Sequence, residues 1–287
     1  MTEAGNAPSP SLASIRRKAA ASIRSARLVT LIMACGIMSS VAQAQNINLD
    51  VPYVPTPQPV VDRMLQMAGV KPTDFVMDVG CGDGRMMVSA ARNYGARGLC
   101  NDIDPARISE AKQNAQRADV ADKIEFRLGN LFDVDISQAD VLPMYLLESI
   151  NLKLRPKILA TAKPGTRIVS HAFTMGDWQP DMSDTVDGRH IFLWIVPALI
   201  DGRWRVRQGP GQDSFYLKIR QAYQKFTGEA AINGRSLPIR DGQIRGTEVT
   251  FTFEPQPGLV RTFHGRVNGK AIDAIADSGQ AWLATER

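Results

Sequence analysis

The sequence predicts an α/β protein in which a doubly wound parallel sheet is followed by a small antiparallel all-β domain. Three observations predict it. A short apolar strand at 75–79 runs into a turn with glycine at 80, 82 and 84, then into a helix-forming run at 86–92. Strand and helix patterns keep alternating to about residue 198, the order that builds a parallel sheet covered by helices. From Trp204 onward the apolar residues alternate with period two and turn residues fall at short intervals, as in antiparallel strands.

The glycine turn is the centre of the first domain. Glycine lets the backbone approach a ligand closely, and the free N–H groups at the start of the following helix attract negative charge. Strand, turn and helix N-terminus together make a nucleotide-type site. The dinucleotide fingerprint G-x-G-x-x-G would need glycine at 85, where this chain has Arg85. The turn instead reads G-x-G-x-G, with Asp78 on the strand before it. Upstream, three prolines between 50 and 57 exclude a helix interior, and residues 60–68 have helical apolar spacing that ends before Gly69. The proline-rich stretch is either a stiff linker or a lid that brings Tyr53 and Thr56 to the site.

Residues 96–102 form a second strand ending in Asp102. This acid lies 22 residues beyond Gly80, near the interval of roughly 20 at which a carboxylate meets ribose hydroxyls. Asp104 and Pro105 open the next helix as its cap and first residue, with Ile108, Ala111 and Ala115 on the inner face. Residues 124–128 are a third strand leading to Asn130 and Leu131, and 140–145 a fourth. Residues 146–163 are helical in pattern, kinked or broken at Pro156. A turn at Lys163, Pro164 and Gly165 leads to a fifth strand, and residues 190–196 are one last apolar strand closing the sheet. In the second domain, strands are expected at 215–220, 247–253, 259–266, 271–276 and 282–285. That makes an antiparallel meander, sandwich or small barrel with no catalytic constellation.

With 287 residues, 44% hydrophobic and 22% charged, the chain has the balance of a globular protein of one large or two modest domains. Residues 1–44 read as an export signal. Arg16, Arg17, Lys18, Arg24 and Arg27 form a basic region, residues 28–38 a short apolar core, and Ala42, Gln43 and Ala44 a small-x-small cleavage site. The core is too short to favour a spanning helix of about 20 residues. The expected division is a leader at 1–44, an α/β domain at 45–198 and a β-rich domain at 199–287. The signal places the folded part in the periplasm or outside the cell, with transient membrane contact through the leader; an uncleaved leader would anchor it to the inner membrane. The leader holds five Lys/Arg and one Glu, so without it the net charge falls from +5 to +1. The basic balance belongs to the targeting segment, and no nucleic-acid partner is expected. Cys81 follows the end of the first strand whereas Cys100 precedes the end of the second. The two are therefore expected to be out of register, small buried residues rather than a disulfide. No His/Cys/carboxylate cluster has zinc spacing and no Ser-His-Asp arrangement is recognisable, so no metal is implied.

Four features occur in order: the glycine turn with Asp78, the acid Asp102, the Gly129-Asn130-Leu131 turn and the Lys163-Pro164-Gly165 turn. Together they resemble the class I S-adenosylmethionine (SAM)-dependent methyltransferase superfamily, over roughly residues 50–198. The resemblance implies a Rossmann-like domain that binds SAM. Asp78, Gly80, Gly82 and Gly84 would hold its methionine end and Asp102 its ribose. Asn130, in place of the family's frequent aspartate, would hold the adenine with Leu131, because an amide offers both donor and acceptor. Tyr53 and Thr56 would reach the cofactor from the proline-rich stretch. Tyr53-Val54-Pro55-Thr56-Pro57, Tyr145-Leu146-Leu147 and Val169-Ser170-His171 make the chain most similar to bacterial exported methyltransferase-like proteins. It is more distantly similar to the ATP synthase c-subunit lysine methyltransferases.

The implied activity is in-line methyl transfer from SAM to an unidentified acceptor, by analogy a protein lysine. An amine nucleophile must lose its proton, and the candidates near the strand ends are Asp140, Tyr145 and His171. The Asn-Pro-Pro-Tyr/Phe motif of base-methylating enzymes is absent. SAM is a cytosolic metabolite whereas the leader points outward. That conflict keeps a second reading alive, a non-catalytic methyltransferase-like binding module in the cell envelope.

Overall fold

The computed structural model describes residues 51–208, 214–274 and 282–286; the expected leader lies outside them. Helix α1 (Gln58–Met67) starts after Pro57 and buries Val60, Val61, Met64 and Leu65 at helical spacing. Parallel strands β1 (Phe75–Asp78), β2 (Arg97–Asp102), β3 (Ile124–Leu128), β4 (Val141–Met144) and β5 (Arg167–His171) then alternate with helices α2 (Arg85–Tyr94), α3 (Pro105–Arg117) and α4 (Glu148–Thr161). The hairpin β6 (Met182–Val186) and β7 (Arg189–Ile195) completes a sheet of order β3-β2-β1-β4-β5-β7-β6, with β7 antiparallel to both neighbours. The strand order reverses between β1 and β4. Open α/β sheets bind ligands at the carboxyl ends of the strands at such a point.

Two expectations change here. The sheet closes with two strands, not one, because β6 is a polar edge strand whose Ser183, Asp184 and Thr185 gave no apolar signal. Helix α4 runs through Pro156 without a break. Its Ile150, Leu154 and Ile158 are buried against the sheet, and that packing outweighs the roughly 3 kcal/mol that an interior proline costs.

The sheet buries apolar side chains on both faces. On one, Val60 and Met64 of α1, Met87 and Ala90 of α2 and Ala111 of α3 share a core with Val76, Val141 and Val169. On the other, α4 and Trp178 share a core with Met77, Leu142, Ile168 and Trp194. Strands β1 and β2 pair with Asp78 beside Cys100. Beyond Asp78 the turn folds back over β2, and the Cys81 N–H donates to the Asn101 carbonyl at 3.0 Å. Cys81 and Cys100 are thereby brought to a Cα–Cα distance of 5.3 Å and form a disulfide. The expectation of two separate thiols is corrected. Counting along the strands placed the cysteines out of register because it ignored the reversal of the glycine turn.

Strands β8 (Gly202–Gln208), β9 (Phe215–Ala222), β10 (Lys225–Ile232), β11 (Arg235–Arg245), β12 (Glu248–Gln256), β13 (Leu259–Asn268), β14 (Ala271–Ala274) and β15 (Trp282–Glu286) form an up-and-down barrel. It closes where β15 pairs with β8, from Trp282 opposite Gln208 to Glu286 opposite Trp204. Closure leaves no free strand edge. Register shifts at Phe226/Gly228 and Arg240/Gln243 bend the long strands, as closing a small barrel requires. The interior is filled by aromatic rings: Phe263 stacks 4.9 Å from both Phe251 and Phe253, with Phe215 and Trp282 edge-on to it.

Hydrogen bonds fasten the barrel to the α/β domain. The Ala198 N–H donates to Gly246 O at 2.7 Å, and Gln221 donates to Ala198 O at 2.9 Å. In the β9–β10 turn, the Tyr223 hydroxyl donates to Asp177 at 2.9 Å while its ring stacks 5.7 Å from Trp178.

Gly98 tests the sheet packing. A Cβ added there would lie 1.8 Å from the Val76 carbonyl oxygen and 2.7 Å from Met87. Gly98→Ala is expected to destabilise the protein by about 3 kcal/mol or more, read as a lower urea midpoint at unchanged slope.

Candidate functional site

The site is built from the turn between β1 and α2. The Gly82 N–H donates to Asp102 Oδ2 at 2.8 Å, and Asp102 Oδ1 accepts from the Asp104 N–H at 2.9 Å. Asp102 therefore clasps the turn to the end of β2 while still facing the cavity. Gly82 has φ +54° and lies under the Tyr53 ring, where an added Cβ would stand 2.7 Å from a ring carbon. Asn101, fully buried on β2, adds a second clasp by donating to the carbonyls of Val79 and Gly129 at 3.2 and 3.0 Å.

The proline-rich stretch lies across the mouth of the site, the lid alternative of the two read from the sequence. Arg85 binds Asp83 through its guanidinium and donates to the Thr56 carbonyl at 2.8 Å. Thr56 Oγ1 lies 3.3 Å from His171 Nδ1 at the end of β5. The Tyr53 ring is held between Gly82 and the Arg107 guanidinium, which sits 4.5 Å from its centroid.

Beneath this strap is an open cavity of about 980 Å³, counting the solvent at its mouth. Eight of the nine residues expected at the cofactor line it: Tyr53, Thr56, Asp78, Gly80, Gly82, Asp102, Asn130 and Leu131. Gly84 does not. It begins α2 with φ +77°, and an added Cβ would stand 2.8 Å from Ala111 Cβ, so it serves the packing of α2 on α3. Sequence reading missed Arg85 and Arg107, which also line the cavity; both sit in the first turn of their helices, where an arginine reads as a solvated side chain.

Of the three expected catalytic residues, Tyr145 lines the cavity and His171 sits against it. Asp140 is corrected. It precedes β4 at the opposite edge of the sheet, accepting from the Phe75 N–H at 2.8 Å and pairing with Lys163 at 2.6 Å. Burial alone would raise its carboxyl, but Lys163, Phe75 and Arg167 outweigh burial and hold it below the usual carboxylate range. Asp140 is a sheet-edge ion pair remote from the chemistry.

The residues present fit SAM. Asp78 is buried, and among the described residues its one donor is the Gly80 N–H at 3.2 Å; burial, then Asp102 and Asp83 nearby, push it up to about 7. A buried carboxyl short of donors is a place for a cationic amino group such as that of the methionine end. Asn130 Oδ1 accepts from the Phe132 N–H at 2.9 Å, which leaves its Nδ2 to donate to an adenine ring nitrogen. Asp102 keeps lone pairs for two ribose hydroxyls.

At the other end of the cavity three rings stand in a row. Tyr145 stacks on His171 at 3.9 Å and faces Phe173 at 6.2 Å. Burial, and then Arg189, push His171 down to about 4, so it is neutral at pH 7. A neutral imidazole stacked on the Tyr145 ring can receive a cationic or amine side chain without repelling it.

Asp102→Ala removes the acceptor of both clasping N–H groups. The dissociation constants for SAM and S-adenosylhomocysteine should rise at least about 100-fold by isothermal titration. Asp78→Asn separates binding from stability. With its pKa raised from 3.8 to about 7, the folded carboxyl keeps a proton that the unfolded chain releases, so stability falls as pH rises through that window and stays lower above it. The cofactor-free Asn variant should be about 2 kcal/mol more stable than the parent at pH 8, with the gain vanishing near pH 4, yet fail to bind SAM.

Comparison with known proteins agrees with this geometry. The family model described as the ANTKMT methyltransferase domain matches residues 78–182, ending before the barrel. A Saccharolobus islandicus protein named Protein-lysine N-methyltransferase is 45% identical over 151 residues, which are 51% of this chain and 94% of that protein. The adenine nucleotide translocase lysine N-methyltransferase of Mus musculus is 29% identical over 135 residues, 47% of this chain and 58% of that protein. A crystal structure described as an RNA methyltransferase from Salinibacter ruber with S-adenosyl-L-homocysteine is 50% identical, with a TM-score of 0.50, covering 51% of this chain and 96% of that one. The sheet order, the clasped glycine turn and these relatives agree: the chain belongs to the class I SAM-dependent methyltransferases, in the ANTKMT family, and is an enzyme whose cofactor is SAM.

Proposed function

We propose that the acceptor is the ε-amine of a protein lysine and that the enzyme works in an oxidising compartment outside the cytosol. The observation that carries the first part is the 45% identity to a named protein-lysine N-methyltransferase across 94% of that protein. The site supports it. Four aspartates, Asp78, Asp83, Asp102 and Asp104, line the cavity with two arginines, Arg85 and Arg107. Residues 45–198 hold sixteen Lys/Arg against nineteen Asp/Glu, a balance that favours a cationic acceptor over a polyanion. The Salinibacter relative is described as an RNA methyltransferase, which supplies the second reading.

SAM supplies a methyl group already activated on a sulfonium. The chain's part is to bind, orient and exclude water. The lysine nitrogen would have to arrive as a free amine, because its lone pair is what can accept a methyl group. His171, at about 4, is too weak a base to take the ammonium's proton. Desolvation between Tyr145, Phe173 and the strap lowers the lysine pKa instead, and the aromatic faces hold the side chain in line.

The second part rests on the leader read at 1–44 and on the Cys81–Cys100 disulfide. Such bonds persist in exported proteins and are rare where glutathione keeps thiols reduced. Membrane contact through the leader belongs to the same proposal.

Incubation of the enzyme with radiolabelled SAM and a lysine-rich polypeptide should label protein. Labelling should disappear when the acceptor's amines are acetylated and persist after ribonuclease. Label lost with ribonuclease would establish the RNA reading. Tyr145→Ala should lower kcat about tenfold or more while SAM affinity stays within about threefold. Thiol titration of protein isolated without reductant should find Cys81 and Cys100 unreactive; two free thiols would refute the oxidising compartment.

A further inference from the structure

Beyond the methyl-transfer site, the barrel carries a charged face of its own. On β8, Trp204 and Val206 point into the barrel while Arg203, Arg205 and Arg207 alternate to the outside. On β9, Leu217 and Ile219 point in while Tyr216, Lys218 and Arg220 are exposed. Strand register sets Arg203 directly opposite Lys218 and Arg205 opposite Tyr216. Like charges facing each other across a strand pair are unfavourable, and a fold tolerates them where something else gains.

Elsewhere on the barrel Arg240 pairs with Glu254, Arg266 with Glu248 and Lys270 with Glu286, while Lys225, Arg235 and Arg245 sit singly at strand ends without an ion pair among the described residues. Among the described residues, none of Arg203, Arg205, Arg207, Lys218 and Arg220 makes an ion pair. The carboxylate nearest in register is Glu229, opposite Lys218, and it accepts from Ser236 Oγ at 2.9 Å. Residues 199–287 hold thirteen Lys/Arg against nine Asp/Glu, so the positive balance of the folded part sits on the barrel and not on the catalytic domain.

We propose that the outward face of β8 and β9 docks the enzyme on an anionic phospholipid bilayer. The wall of a closed barrel is convex and offers no groove, and its row of cations is matched in charge by an extended anionic surface. Single-stranded nucleic acid instead takes a basic groove with successive stacked aromatics, whereas this face offers one tyrosine. A lysine-bearing acceptor has the wrong sign for it. Tyr216 and Leu283, the latter opposite Arg207, are 38% and 37% exposed and give the face the apolar contacts of an interfacial surface. No helix among the described residues is long and apolar enough to cross a membrane. The proposal does not depend on the identity of the methyl acceptor.

The test is sedimentation of the full chain with vesicles of phosphatidylcholine, with and without phosphatidylglycerol. Three proteins are compared: the parent, Arg203→Gln with Arg207→Gln and Lys218→Gln, and a control with Arg240→Gln, Arg266→Gln and Lys270→Gln. All three share the same leader, and both variants lose the same charge. A surface cation is worth roughly fivefold in binding to anionic lipid. The face variant should therefore lose about tenfold or more of its partition into the anionic vesicles, and the control no more than about threefold. SAM titration confirms that each variant is folded. Equal partition of the face variant and the control overturns the proposal, as does a parent that does not distinguish the two vesicles. A face-dependent loss confined to a single-stranded oligonucleotide assigns the surface to nucleic acid and overturns it equally.

Discussion

The hydrogen bond from the Gly82 N–H to Asp102 is the constraint on which the site depends. It joins the turn after β1 to the end of β2, so the two structures expected to hold opposite ends of the cofactor keep one fixed separation. Everything around it strengthens the same junction: Asn101 bridges Val79 and Gly129, and Asp102 also receives Asp104 at the start of α3. The strap is then hung from the assembled turn through Arg85 and Tyr53. Because these elements share partners, none is positioned independently of the others, and the cavity is preorganised by packing and not by any single rigid segment.

The barrel contributes to the catalytic domain through the segment that follows β5. That segment carries Phe173 beside the cavity and Asp177 and Trp178 at the barrel contact. Helix α4 holds it from below, with Asn151 donating to the carbonyls of Phe173 and Thr174 and Arg155 to that of Met175. Tyr223 closes the arrangement from the barrel side, under the Arg155 guanidinium. The appended domain thus steadies the segment that places Phe173 beside Tyr145, while its own core is packed with aromatic rings.

Much of this was legible in the residues. The glycine turn, Asp102 and the Gly129-Asn130-Leu131 turn sit at fixed places in the chain because each follows a strand end, and strand ends announce themselves by a change from apolar to polar residues. What was not legible depends on contacts between distant segments. Asp140 looked catalytic because it adjoins a strand, but direction along the strand decides which edge of the sheet a residue occupies, and it precedes β4 where the site follows it. Gly84 matched the motif yet answers to Ala111 on another helix. Polar β6 has no periodic apolar signal, and its pairing with β7 is a property of the finished sheet. The disulfide was misread for the same reason: strand counting is one-dimensional, and the turn reverses in three dimensions.

The bond between Cys81 and Cys100, 19 positions apart in the chain, makes the whole of α2 part of a covalent ring. A loop of that size removes entropy from the unfolded chain worth about 3 kcal/mol, and it does so at the segment that grips the cofactor. Local opening in proteins takes place in contiguous units that come apart together. Gly82 and Gly84 lie inside the ring, so this half of the glycine turn stays covalently tied to β2 whenever the chain around it opens.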